Sequence, residues 1–123
     1  MVEEYANQRY RFDKSCRLLS KQDYKTVFNQ SQKVSDNCFL VLFFKKENGK
    51  PRLGLAVAKK VARLAIQRNV LKRIIRESFR HHQHQIPEVD IVVLIRSDAV
   101  KLTNAALFKK LEKLWIKLKQ KVE

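Results

Sequence analysis

An α+β sandwich is the fold class that this sequence predicts: a single domain with a small mixed sheet and helices packed against it. Three observations lead there. Helix-spaced and β-rich apolar stretches follow one another in the order α-β-β-β-α-β-α. The chain has 123 residues, the length of one domain. It is 45% hydrophobic, which is enough for a core and too much for a disordered basic tail.

Residues 1–15 are polar and are expected to be loosely held. Ser20 opens the first helix as an N-cap, with Asp23 three residues on as a short capping box. Tyr24, Val27 and Phe28 share one face of it. A short strand is expected around Lys33 to Asn37. "CFLVLFFKK" (Cys38 to Lys46) reads as a longer strand, rich in Phe and Val. Asn48-Gly49 is a strong hairpin signal, so Arg52 to Ala58 is expected to return as the hairpin's second strand. A basic helix then begins between Val61 and Gln67. It stops before Pro87, because the residue preceding a proline is driven out of the helical region. Val89 to Arg96 is an apolar strand, expected to be covered on both faces. Thr103 or Asn104 caps the last helix, whose apolar stripe is Leu107, Phe108, Leu111, Leu114, Trp115 and Leu118.

Charge narrows the function. There are 27 Lys and Arg against 12 Asp and Glu, a net +15 with a pI near 10.2. Such a balance favours nucleic acid or an anionic membrane surface. No apolar run approaches the roughly 20 residues of a membrane span. The first residues lack the apolar core of a secretory signal, so a cytoplasmic protein is expected. Cys16 and Cys38 make neither a disulfide framework nor a metal spacing.

The sharpest feature is "IQRNVLKRIIRESFR", Ile66 to Arg80. Wound at 100° per residue, Arg68, Lys72, Arg76, Asn69, Arg80 and Arg73 fall within an arc of about 140°. Val70, Ile74, Ser78, Leu71, Ile75 and Phe79 fill the other side, and Glu77 stands at the border beside Arg73. Like charges four apart cost about 0.2–0.5 kcal/mol per pair in isolated helices. An idle solvated face usually mixes signs, so this row points to an anionic partner. Lys109, Lys110, Lys113, Lys117 and Lys121 add a second basic surface on the last helix.

Catalysis by the chain alone is not expected. Gly49 and Gly54 are the only glycines, so there is no phosphate loop. His81, His82 and His84 form one tempting cluster, but no Cys or carboxylate is spaced to complete the three or four ligands of a zinc site. They are therefore read as a polar helix end, where His can also favour the negative end of the dipole. Tyr24 and Phe28 can fill a core, or they can stack on unpaired bases.

The motif order "RLGLAVAKK", "QRNVLKRIIRESFR", "VDIVVLIR" and a basic C-terminal helix resembles the bacterial ribonuclease P protein subunit, from about Arg17 to Lys119. That family's signature helix carries Arg-Asn-Arg, then a basic pair and an Arg. Arg68-Asn69, Lys72-Arg73 and Arg76 match it, while the third position is Val70 here, at the margin of the apolar arc. The surface is therefore expected to lose one contact and keep its centre. The resemblance implies a left-handed βαβ crossover. It implies a protein that binds a catalytic RNA and helps it remove the 5′ leader of precursor tRNA, with Mg2+ held by the RNA doing the chemistry. It implies a monomer in a 1:1 ribonucleoprotein, with no membrane role. It assigns RNA binding to Arg68, Asn69, Lys72, Arg73, Arg76, Arg80, Lys59, Lys60 and Arg63. It assigns a groove for the single-stranded leader to Tyr24, Phe28 and Arg52. Without the resemblance, the residues also allow a general, ribosomal-type RNA-binding module, or a membrane-surface protein that uses the Trp115 helix.

Overall fold

Four strands and three helices follow the expected order in the computed structural model, which describes residues 16–18, 20–46 and 49–123. They are α1 (Lys21–Gln30), β1 (Gln32–Ser35), β2 (Phe39–Lys45), β3 (Arg52–Ala56), α2 (Ala65–His82), β4 (Val89–Ile95) and α3 (Asn104–Val122). The expected looseness of residues 1–15 and the Asn48 half of the turn signal lie outside the described residues. Gly49 has φ +104°, a conformation that favours glycine.

The strand order is β1-β2-β4-β3. Here the structure corrects the hairpin reading: β2 and β3 do not pair. β4 lies between them, antiparallel to β2 and parallel to β3. The reason lies in the composition of β4. Six of its seven residues are buried, on both faces, and a strand of that kind needs a neighbour on each edge. A glycine turn only reverses the chain; it does not decide which strand the chain returns beside. Two of the sheet's four strands, β3 and β4, are thus joined through α2 as a βαβ unit.

Side-chain alternation divides the interior into two layers. Phe39, Val41 and Phe43 of β2 pack with Val89, Ile91, Val93 and Ile95 of β4 beneath α2 and α3. Their alternates Leu42, Phe44, Val92 and Leu94 face α1, through Val27 and Tyr24. Ser20 caps α1 as expected, its Oγ accepting from the Asp23 N–H at 3.0 Å. Thr103 is the residue that caps α3, its Oγ1 accepting from the Ala106 N–H at 3.2 Å. Leu107, Leu111, Leu114, Trp115 and Leu118 of the expected stripe are buried, whereas Phe108, also expected in it, is exposed. Ser78 is buried on α2, and its Oγ accepts the Trp115 indole N–H at 2.9 Å, which locks α2 to α3. The exposed edge of β3 is covered by residues 16–18, where the Leu18 N–H donates to the Leu53 carbonyl at 3.0 Å.

Candidate nucleic-acid interface

α2 presents its basic face toward β3 and away from α3. Asn69, Arg73 and Arg76 are exposed and Lys72 is half-buried. Among the described residues, no ion pair reaches any of them. Lys72 and Arg76 line a groove of about 160 Å³ together with Arg17, Leu18, Tyr24, Leu53, Gly54 and Leu55. Two regions that the sequence treats separately, the signature helix and the first helix, thus meet at one concavity.

Gly54 makes the groove possible. A Cβ at this position would stand 2.7 Å from Cε1, Cζ and the hydroxyl of Tyr24. Only a residue without a side chain lets the Tyr24 ring lie on the strand. Tyr24 and Phe28 then part company. Tyr24 is half-buried at the groove, whereas Phe28, one turn on, is 49% exposed and is not among the groove's lining residues.

Arg52 belongs to a charge cluster beside this site. Its Nε and Nη2 donate to the two carboxylate oxygens of Asp90 at 2.9 and 2.7 Å, and its Nη1 reaches Asp23 at 3.3 Å. Lys46 Nζ completes the cluster at 2.8 Å from Asp90. Burial pushes the Asp90 carboxyl up, but the hydrogen bonds from Arg52 and Lys46 outweigh it and hold the group below its ordinary value. The hydrogen bond to Asp90 raises the Arg52 pKa. Arg52 therefore ties α1 to the sheet, with most of its donors already committed to carboxylates.

The other assigned residues differ in their freedom. Arg68 is turned back on its own loop, where Nη1 donates to the carbonyls of Ala62 and Arg63 at 2.9 and 2.8 Å. That brace shapes the approach to α2, where Lys59, Lys60 and Arg63 are exposed. Arg80 is paired with Glu77 at 2.9 Å. The hydrogen bond from Arg80 lowers the Glu77 pKa, so Glu77 answers Arg80 first rather than Arg73. Val70 is 44% exposed, on the rim of a shallow apolar depression with Ile66, Val100 and Leu102, consistent with the margin of the arc. His82 Nδ1 lies 2.8 Å from the Ser78 carbonyl, and His81 Nε2 lies 3.8 Å from Glu77. Among the described residues, no group of three His, Cys, Asp or Glu side chains is placed to hold a metal ion. No described helix is long and apolar enough to cross a membrane.

Sequence reasoning missed Gly54 and Asp90 as organisers, although both carry a signal. A glycine inside a strand pattern marks a close approach. A lone carboxylate in an apolar strand must find partners when buried. Arg17 and Leu18 of the groove carried no such signal.

Comparison with known proteins agrees with this geometry. The family profile described as Ribonuclease P matches residues 12–119. The ribonuclease P protein component of Aliivibrio fischeri is 44% identical over 109 residues, covering 89% of this chain and 93% of that one. The RNase P protein of Staphylococcus aureus superposes with a TM-score of 0.77 at 31% identity, over 82% of this chain and 93% of its own. The Thermotoga maritima RNase P protein gives 0.73 at 33% identity, over 80% and 94%. The chain therefore belongs to the ribonuclease P protein family, whose work is tRNA processing.

Proposed function

We propose that this chain is the protein subunit of a cytoplasmic ribonuclease P, binding one catalytic RNA as a monomer and holding the single-stranded 5′ leader of precursor tRNA. The observation that carries this reading is the junction of the unpaired basic row Lys72, Arg73 and Arg76 with the groove beneath Tyr24. RNA phosphates would neutralise the row, with Asn69 alongside. Lys59, Lys60 and Arg63 would extend the contact from the loop before α2. The leader would enter the groove, where the Tyr24 ring offers a stacking face worth about 1–3 kcal/mol per base. Arg52 contributes by fixing the α1 wall, and Phe28 would meet bases only beyond the groove.

Mg2+ bound by the RNA would supply the hydrolytic chemistry. The chain's own residues bind and position. Asp90 is saturated by Arg52 and Lys46, and the histidines sit at the end of α2, away from the groove's lining residues.

The test is binding of the catalytic RNA across a salt series. Lys72→Ala, Arg73→Ala and Arg76→Ala should each weaken binding and reduce the log–log salt slope by roughly 0.7–0.9. Lys45→Ala, at the end of β2, should change little. Parental affinity and slope in all three α2 variants would refute the interface. Equal affinity for unrelated structured RNAs would instead favour the general RNA-binding module.

A further inference from the structure

The last helix carries charge that this reading leaves unused. α3 has six lysines, Lys109, Lys110, Lys113, Lys117, Lys119 and Lys121, against one acid, Glu112. Two of them are occupied: Lys110 Nζ donates to Asn37 Oδ1 at 2.8 Å and Lys121 Nζ to the Lys33 carbonyl at 2.9 Å. These contacts turn one side of α3 toward β1. The buried stripe turns another toward the core. Of the four that remain, Lys119 is exposed apart from the others, beside His82, Ile86 and Trp115, and Lys109, Lys113 and Lys117 form an outward row, all exposed. Successive members stand one turn apart, about 6 Å, so the row is about 12 Å long. Among the described residues, no ion pair or hydrogen bond reaches any of the three. Glu112, the nearest acid in sequence, leaves them unpaired.

The location separates this row from the groove. α3 packs over β1 and β2, at the sheet edge opposite β3, while α2 packs toward β3. A strand lying in the groove therefore does not neutralise it. A membrane is disfavoured as partner, because the apolar stripe that would insert is consumed by the core. We infer that the Lys109–Lys113–Lys117 row is a second RNA-binding surface, which grips the phosphodiester backbone of an RNA segment other than the one on α2. Three flexible ammonium groups with no bidentate geometry suit backbone contact without sequence readout. The inference rests on a different helix from the proposed function and can fail separately.

The full-length chain carrying Lys109→Ala, Lys113→Ala and Lys117→Ala together is compared with the parent and with the triple Lys→Arg variant. Catalytic RNA and mature tRNA are titrated in separate arms across a salt series. The alanine triple should bind at least one of these RNAs several-fold more weakly, with a salt slope lower by about 2 to 3, from three contacts. The arm that responds identifies the source of the backbone. The arginine triple should keep parental binding, and all three proteins should melt alike. Combined with Lys72→Ala and Arg76→Ala, the losses should add, as for distant sites. Parental affinity and slope of the alanine triple on both RNAs would overturn the inference. If the α2 variants alone lose binding, the proposed function stands and the second surface falls; if the α3 triple alone does, the reverse holds.

Discussion

Gly54→Ala is a small change with a calculable consequence. The new methyl group would stand 2.7 Å from two ring carbons and the hydroxyl of Tyr24, whereas carbon atoms rest about 3.5–4.0 Å apart. The ring must withdraw by roughly 1 Å. α1 resists following it, because Val27 is fully buried against the Val92 layer and Asp23 is tied to Arg52. The ring itself therefore moves off the strand. Overpacking of this kind costs about 1–3 kcal/mol of stability. Leader affinity should fall as well, by up to the 1–3 kcal/mol of a lost stack. Tyr24→Leu removes the clashing atoms and the stacking face while keeping most of the apolar volume. Gly54→Ala should then be nearly silent in the Tyr24→Leu background. The assay is a double-mutant cycle, read by denaturant unfolding and by binding of a single-stranded leader to the assembled ribonucleoprotein. A coupling of about 1 kcal/mol or more is expected for residues in contact. Equal cost of Gly54→Ala in both backgrounds would refute the reasoning. Intact leader affinity in folded Tyr24→Leu would make the ring a core residue only.

Asp90→Asn strips the charge that answers Arg52 and Lys46, and should destabilise by about 3 kcal/mol, the low end for a broken buried pair because both cations keep some contact with water. The Asp90 pKa is lowered in the fold, so its contribution is present above the ordinary carboxyl value of 3.8 and lost as pH falls through the lowered value; stability against pH should flatten on the acid side in the variant. Arg68→Ala removes two hydrogen bonds to the loop before α2 and should cost about 1–2 kcal/mol in a denaturant melt, whereas relief of like-charge repulsion alone would leave stability unchanged or slightly raised. Ser78→Ala strands the buried Trp115 N–H and should cost about 1–3 kcal/mol, measured as a shift of the unfolding midpoint. The purified chain with precursor tRNA and Mg2+ should give no site-specific cut without the catalytic RNA; a product that disappears on mutating His81, His82 or His84 would contradict this.

Elements with a strong period or a cap were legible. α2 and β4 fall where their apolar spacing puts them, and α1 and α3 begin where the Ser20 and Thr103 caps put them, because those signals are local. Strand pairing was not, since the Asn48-Gly49 turn says nothing about β4 competing for the place between β2 and β3. The same limit applies at the interface. A wheel gives the direction of Arg68 and Arg80 but not the loop carbonyls and the Glu77 carboxylate that hold them, and no local pattern on β3 gives the Asp23 and Asp90 carboxylates that reach Arg52 from elsewhere in the chain. Lys72 and Arg76 were readable as members of a basic row because the one acid of the helix, Glu77, falls at the border of their face beside Arg73. The groove's other wall needed the fold, which brings Tyr24 against Gly54 across 30 residues of sequence.

The most direct measurement is leader cleavage by the catalytic RNA at low magnesium, without protein, with the parent chain and with the Lys72→Ala, Arg73→Ala, Arg76→Ala triple variant. The RNA alone should cut poorly, the parent should restore cleavage, and the folded triple variant should restore much less at the same concentration. Equal stimulation by parent and triple variant would contradict the assignment of α2 as the RNA-binding helix, and no stimulation by the parent would contradict the function itself.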